Sequence, residues 1–517
     1  MRKLRVENFE LRMEPRSCSF VFIRGLFFSA LIAVACCLLP VASQQSFAQM
    51  SAEELRKEQI ETIEALKRTE DISGGSSRLF GDLGRRTGWL FQYGASSSVT
   101  YTGGDNGSDR NSAVQDAQDH NYDYEMKPFI TVQSADRKSK FYTRGTTKYT
   151  ETKKSSVGAG TRGNNFIQPT VEMMYWEKSF EGKTPGVKSK LTIGRQFVQV
   201  GRGIAFAQTA DGFLHEMTGL AKNKGEFKWF ALRQNPSDDQ TDASASGSGN
   251  THRWFWGLRG KYQVHPKAKM SLYYVGTKDD NVENDPTSAL QKHKFEPSYY
   301  GAVSEGRITK DLQYWSEYIY ERGKTYSNGA VVASQKVNIA ASALVTGLKY
   351  YFGGDLAPTA FSEYITATGD PDALTSSNST KGGSAAGTND SRFNPFGGVS
   401  LGLALSPTMT NMKVYKFGGS IKPFGRSPNK LVQEMSLQPE YYVFRRRTGN
   451  LGSAGNDGVI PGTATTNRIG DELDFSVSWR LMSDVTYQLK YGHFSPGSAY
   501  TTQSAETYWR FKISVDL

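Results

Sequence analysis

The chain has 517 residues, with 62 Lys+Arg against 51 Asp+Glu and a formal net charge of +11. That excess is too diffuse for a nucleic-acid binder, and a mean hydropathy of −0.52 excludes a bundle of apolar transmembrane helices. Its cysteines, Cys18, Cys36 and Cys37, all lie near the N-terminus, which excludes a disulfide-stapled ectodomain.

The first 48 residues read as an export leader. Arg2, Lys3, Arg5, Arg12 and Arg16 precede an apolar run from Phe20 to Ala42 broken only by Arg24, and Ser46-Phe47-Ala48 fits a small-x-small cleavage pattern. The stretch from Gly25 to Ala42 is about long enough to span a membrane. An anchor helix is therefore the alternative, but the cleavage pattern and the rest of the chain favour removal after Ala48. Cys36 sits inside the apolar run without the preceding leucine of a lipoprotein site. Without the leader, 56 Lys/Arg remain against 48 Asp/Glu, a net +8. Residues 49–88 form a second unit. Leu55, Ile60, Ile63 and Leu66 fall on one face of a charged stretch, which predicts a short amphipathic periplasmic helix over 51–70. It reads first as a solvated lead-in and second as a docking or plug element.

From Trp89 onward the period is two. Trp89, Phe91, Tyr93 and Ala95 alternate with Leu90, Gln92, Gly94 and Ser96. The pattern is plainest at the C-terminus, where Trp509, Phe511, Ile513, Val515 and Leu517 alternate with Tyr508, Arg510, Lys512, Ser514 and Asp516. Side chains of a strand switch face at every residue, so each segment presents one apolar and one polar wall. Strands are predicted at 89–101, 122–133, 140–150, 168–178, 189–199, 210–218, 224–234, 253–264 and 269–278. They continue at 297–307, 311–322, 336–352, 359–369, 412–423, 431–446, 470–481, 484–493 and 507–517, which makes 18.

Connection lengths alternate as well. Counting back from Leu517, the short ones are Ser483–Asp484, Gly425–Lys430, Gly353–Ala357, Lys310, His265–Ala268, Leu220–Lys224, Glu181–Lys188 and Ser134–Ser139. Between them lie long Gly/Ser/Asn-rich ones at 102–121, 151–167, 235–252, 279–296, 323–335, 370–411 and 447–469. The alternation holds if 210–218 is a strand and 397–406 a loop, and it fails with the two exchanged. Short turns on one side and long loops on the other belong to a bacterial outer-membrane barrel whose last strand runs down to the periplasm. The predicted fold is therefore all-β: a transmembrane antiparallel up-and-down β-barrel spanning 89–517. In a bilayer only helices and closed barrels pair every backbone amide. An open soluble sheet of this size would need a second apolar layer, and the polar alternate face predicts a water-filled lumen instead.

Several passages resemble the alginate export family of outer-membrane porins. They are Leu191-Thr-Ile-Gly-Arg-Gln-Phe-Val-Gln-Val-Gly-Arg-Gly203 followed by Asp211-Gly212-Phe213, and Tyr364-Ile-Thr-Ala-Thr-Gly-Asp370 with Phe393-Asn-Pro-Phe396. Ile469-Gly-Asp-Glu-Leu-Asp474 and Tyr491-Gly-His-Phe-Ser-Pro-Gly497 complete the set, in order, across roughly 190–497. The resemblance implies a monomeric barrel with an arginine-rich lumen that passes anionic polymer or solute. The N-terminal helix, the long 370–411 loop and a terminal Leu in place of Phe depart from it.

With apolar residues facing lipid, Lys127, Arg144, Lys148, Arg259, Lys261, Lys416, Lys490, Arg510 and Lys512 point into the lumen, as do Glu125, Glu172, Glu317, Glu440, Glu472 and Asp474. Such rings lower the barrier for anions by replacing lost hydration; alternatively the charges pair across strands and only wet the wall. Arg195 shares a face with Leu191 and Ile193 and breaks the rule, which a bulge or a position above the lipid boundary would resolve; it matches a recurrent family position and is counted as pore-lining, as is Arg202 of the same segment. The six histidines are scattered without metal-ligand spacing, and no Gly-x-Ser-x-Gly elbow or phosphate loop follows the leader. No cofactor and no catalytic residue is expected. A Ser–His pair on the outer wall, as in a barrel phospholipase, is a minor alternative. Asp105, Asp109, Asp116 and Asp119 read as a solvated acidic loop before a Ca²⁺ site.

The leading expectation is a passive channel for anionic polysaccharide or small acidic solutes in the outer membrane of a Gram-negative bacterium. Its partners would be lipid and lipopolysaccharide, and the barrel-assembly machinery acting through the strand Tyr508–Leu517. The alternative is a structural or adhesive barrel with a closed lumen, binding a partner through outer loops, above all 370–411.

Overall fold

The computed structural model describes residues 89–105, 118–155, 161–182, 184, 186–234, 253–280, 295–326, 336–371, 387–448, 466–482, 484–500 and 504–516. The leader, the helix expected over 51–70, the side chains of the acidic first loop and Leu517 lie outside the described residues.

Eighteen strands follow one another: β1 Trp89–Asp105, β2 Gln118–Ser134, β3 Ser139–Ser155, β4 Thr161–Glu181, β5 Lys188–Gln199 and β6 Ala207–Gly219. Next come β7 Gly225–Arg233, β8 Arg253–His265, β9 Ala268–Asp279, β10 Glu296–Arg307, β11 Leu312–Tyr326 and β12 Lys336–Tyr351. The last are β13 Thr359–Ala367, β14 Met412–Ser420, β15 Ser436–Arg446, β16 Arg468–Arg480, β17 Val485–Pro496 and β18 Glu506–Asp516. Each pairs antiparallel with its chain neighbours, and β1 pairs with β18 from Ser96↔Asp516 to Asp105↔Thr507, which closes the sheet. Closure leaves no strand edge, as a bilayer requires.

The expected count and order are the observed ones, and boundaries differ for local reasons. β15 begins at Ser436 rather than 431 because Asn429 caps a helical turn, Lys430–Gln433, with its Oδ1 accepting from the Leu431 N–H at 3.0 Å. β4 reaches back to Thr161, well above the predicted start at 168.

Facing follows the pleat. Tyr124, Met126, Ile130, Trp229, Trp254, Trp256, Leu258, Leu272, Tyr300, Phe417, Leu473, Trp509 and Ile513 are exposed on the outside, where lipid meets them. The inside is not the purely polar surface the alternation predicts. An apolar cluster fills it from β5 to β17: Phe230, Phe255, Tyr299, Ile319, Ile339, Val345 and Phe444 on the wall meet Ile204 and Phe206 of the 200–206 connection and Phe393, Phe396, Leu401, Leu405 and Met409 of the β13–β14 loop. Both segments fold inward as the second apolar layer that those wall residues need. Among the described residues, β1 to β4 give no member to the cluster, and Tyr508 of β18 only packs against it.

Candidate functional site

The inner wall of β18, β1, β2 and β3, which gives no buried member to the apolar cluster among the described residues, carries with Lys490 of β17 a diagonal band of cations. Register sets Lys490 opposite Arg510, Arg510 opposite Thr102, and Lys512 opposite Thr100. Glu125 stands between Ser98 and Lys148, Lys127 opposite Ser96, and Arg144 opposite Phe129. The inner face of β1 is thus Ser96, Ser98, Thr100 and Thr102, small side chains that leave room in front of their charged neighbours.

Three carboxylates sit in this band. Lys127 Nζ lies 2.9 Å from Glu125 and 3.7 Å from Glu172, and Lys148 Nζ lies 3.6 Å from Asp123. Register shifts around Arg144, Gly145 and Lys148 bring Glu172 beside Arg144, which donates from Nε at 2.8 Å and Nη2 at 3.0 Å. Lys512 makes no ion pair among the described residues; Arg510, Lys127, Lys148 and Glu125 surround it. Among the described residues the band therefore holds six cations against three carboxylates, all partly or largely shielded from solvent.

The opposite wall is more evenly balanced. Arg259 faces inward 3.5 Å from Glu226, Lys261 is 2.7 Å from Glu305, and Lys190 and Lys228 share Glu216 at 2.8 and 3.4 Å. Lys416 lies 3.1 Å from Glu440 and over the rings of Phe361 and Tyr442. Asp474 is buried on the same inner face, register partner of Glu440. These charges follow the cross-strand pairing alternative.

Inward carboxylates also hold the loops, a role the sequence reading missed. Glu317, Glu321 and Glu472 are fully buried on β11 and β16. Glu317 accepts from the Arg202 N–H at 2.9 Å and the Tyr273 hydroxyl at 2.6 Å. Glu321 accepts from the Asn394 N–H at 2.9 Å. Glu472 accepts from the N–H groups of Leu403, Ala404 and Leu405 at 2.5, 2.6 and 3.0 Å. A loop brought inside must satisfy its amides, and a carboxylate with several lone pairs does so economically. The 200–206 and β13–β14 segments also bond to each other, Phe206 bridging Phe396, and the Gln208 amide of β6 donates to the Phe396 carbonyl. Arg202, at the tip of the first, lies 5.0 Å over the Trp315 ring and 3.9 Å from Glu363, which in turn accepts from the Trp315 indole at 2.7 Å.

Arg195 is a correction. It stays in register with Met174 and Asp211, on the outward face shared with exposed Ile193, and its guanidinium pairs with Asp211 at 3.5 Å near the outer end of β5. No bulge turns it inward, so it does not line the pore.

A Ser–His pair does occur on the outer wall. Ser189 Oγ lies 2.6 Å from His215 Nε2, and the Trp229 indole donates to His215 Nδ1 at 2.8 Å. An indole N–H can only donate, so Nδ1 must accept and Nε2 carries the proton. The imidazole then donates to the serine and is in the wrong tautomer for a general base. Among the described residues no cluster of three or more His, Cys, Asp or Glu is arranged to hold a metal.

The chain matches the alginate export family over residues 96–512. Similar solved structures include the Pseudomonas aeruginosa proteins OccK7 (OpdD), at 12% identity and a TM-score of 0.49, and OpdK, crystallised with vanillate, at 11% and 0.47; each covers 83% of this chain and 98% of its own. OccAB3 of Acinetobacter baumannii is similar at 11% identity and 0.46, over 83% of this chain and 99% of that one. No curated protein matches. With its closed 18-stranded barrel and its match over most of its length, the chain is an outer-membrane channel protein and belongs to the alginate export family.

Proposed function

We propose that this channel passes anionic solutes of the polysaccharide class, polyuronates above all, by passive diffusion along the wall of β17, β18, β1, β2 and β3. The observation that carries the reading is the diagonal of Lys490, Arg510, Lys512, Lys148, Lys127 and Arg144 beside the small inner residues of β1. Successive cations replace lost hydration step by step, and the interspersed Asp123, Glu125 and Glu172 keep each contact weak enough to leave.

The test is the reversal potential in planar bilayers under a salt gradient. Anion preference is expected for the unmodified protein, and R144E/R510E/K512E should shift the potential toward cations. Cation preference in the unmodified protein would overturn the proposal. Cleavage after Ala48, insertion through the Tyr508–Leu517 strand and a monomeric state belong to the same proposal, the last supported by the β1–β18 closure.

A closed, adhesive barrel is the second reading, favoured by the apolar layer between β5 and β17. Residues 390–411 are committed to the interior, so the loop first expected to bind a partner has this half turned inward. Well-folded, heat-modifiable protein without conductance would favour it.

A further inference from the structure

Two cavities lie side by side at the periplasmic end of the lumen and share Lys269. The larger, about 590 Å³, is bordered by the turn Pro266–Ala268, the Thr309–Lys310 turn and Trp315; the smaller, about 220 Å³, continues to Gly219 and Lys224. Together they form a groove with the dimensions of a small-molecule site.

Its charge is one-sided. Arg202, Lys267, Lys269, Arg307 and Lys310 line the larger cavity, with Glu305 the one carboxylate among its lining residues. Glu305 is engaged by Lys261 at 2.7 Å, and Glu226, in the smaller cavity, by Arg259 at 3.5 Å. Lys267, Lys269 and Arg307 are exposed and make no ion pair among the described residues. These cations come from three separate segments, so their charge is spread along the groove rather than focused on one point. Trp315 adds an aromatic surface beside Arg202. A ligand with one charge per repeating unit and apolar ring faces fits this better than a compact single anion.

We propose that the groove is an entry subsite for a carboxylated sugar chain, a polyuronate segment, arriving from the periplasm. The inference rests on the anion-passing reading and adds to it the place of first contact. Cations at the mouth raise the local concentration of an anionic chain before it reaches the inner band.

The experiment measures binding of fluorescently labelled hexamannuronate to the detergent-solubilised barrel by anisotropy, with neutral mannohexaose as control. Saturable binding of the uronate and none of the neutral hexamer is expected. K269E/R307E should weaken binding at least tenfold, as should the gentler K267Q/K269Q/R307Q. K324E/K336E, at the exposed outer ends of β11 and β12, should leave it within twofold. Heat-modifiable mobility confirms that each variant is folded. Unchanged affinity in both mouth variants, or an equal loss in K324E/K336E, overturns the subsite. Absence of uronate binding in the unmodified protein also overturns it, and the reversal potential of the same preparation then decides whether the anion reading falls with it.

Discussion

Replacing Glu472 with Ala should unfasten one stretch of the interior loop and leave the rest in place. Its carboxylate accepts from the N–H groups of Leu403, Ala404 and Leu405, and neither the residue nor Ala404 and Leu405 is exposed. A buried donor left without a partner costs about 1–3 kcal/mol, so three cost roughly 3–9 kcal/mol. Water entering the vacated space holds the effect near the low end, about 3 kcal/mol. Against this stands apolar burial: Phe393, Phe396, Leu401, Leu405 and Met409 each contribute about 1.5–3 kcal/mol, roughly 8–15 kcal/mol at most. The loop therefore remains docked while the amides near Leu403 open more often. At tenfold per 1.4 kcal/mol, hydrogen exchange in a peptide covering residues 401–407 should quicken on the order of a hundredfold. A peptide over Phe393–Phe396 should change little, and E472Q, which keeps one acceptor oxygen, should fall between. Unchanged exchange at 401–407 in E472A would refute the anchoring argument, and equal acceleration at Phe393–Phe396 would refute its locality.

Valine at position 201 should loosen the second interior segment: Gly201 has φ +54°, and an added Cβ would lie 2.2 Å from the buried Glu317 carboxylate. Overpacking of this kind costs about 1–3 kcal/mol, and G201V should raise single-channel conductance, an unchanged value counting against the inward placement. In protein labelled with ¹⁵N-histidine, His215 should show a protonated Nε2 and a bare Nδ1, and lipid hydrolysis should be absent with or without S189A; the opposite tautomer would reopen the enzymatic alternative. In the β2–β3 turn, the Ser134 hydroxyl and then the Lys138 N–H hold the Asp136 carboxyl below its usual range. Its contribution is present above the unfolded value of about 3.9 and lost as pH falls through the lower folded one, so exchange at Lys138 should rise only in that acid window. D136N should raise it at neutral pH, and equal exchange in D136N and the unmodified protein would refute the role.

The barrel was legible because its signals are local: period-two alternation within each strand and turn lengths between them. Arg510 and Lys512 could be placed on the inner wall from Trp509 and Phe511 alone. The interior loops were not legible, since their anchors are distant in sequence: Leu403 to Glu472, Asn394 to Glu321, Arg202 to Glu317. One overlooked signal lay in β12, whose Val337, Ile339, Ala341, Ala343 and Val345 line one face while Leu344 and Leu348 occupy the other. A strand apolar on both sides needs a layer on both, lipid outside and protein within. Arg195 was misplaced for the converse reason. A recurrent family position says nothing about facing, and the unbroken pleat of β5 sets Arg195 outward.

If the proposed path holds, an off-centre interior would give it its selectivity. A barrel of 16–18 strands encloses a wide aqueous lumen, and at physiological salt a wall charge is screened within about 8 Å. Ions crossing the middle of an unobstructed barrel of this size would sense little of Lys512 or Arg144. The segments docked between β5 and β17 take up interior space on their side of the barrel, and the proposed path runs along the basic band of the other side. Glu317, Glu321 and Glu472 would then act on selectivity without touching the solute, by keeping the loops docked. Loosening them widens the route into screened water, so conductance and anion preference should move in opposite directions.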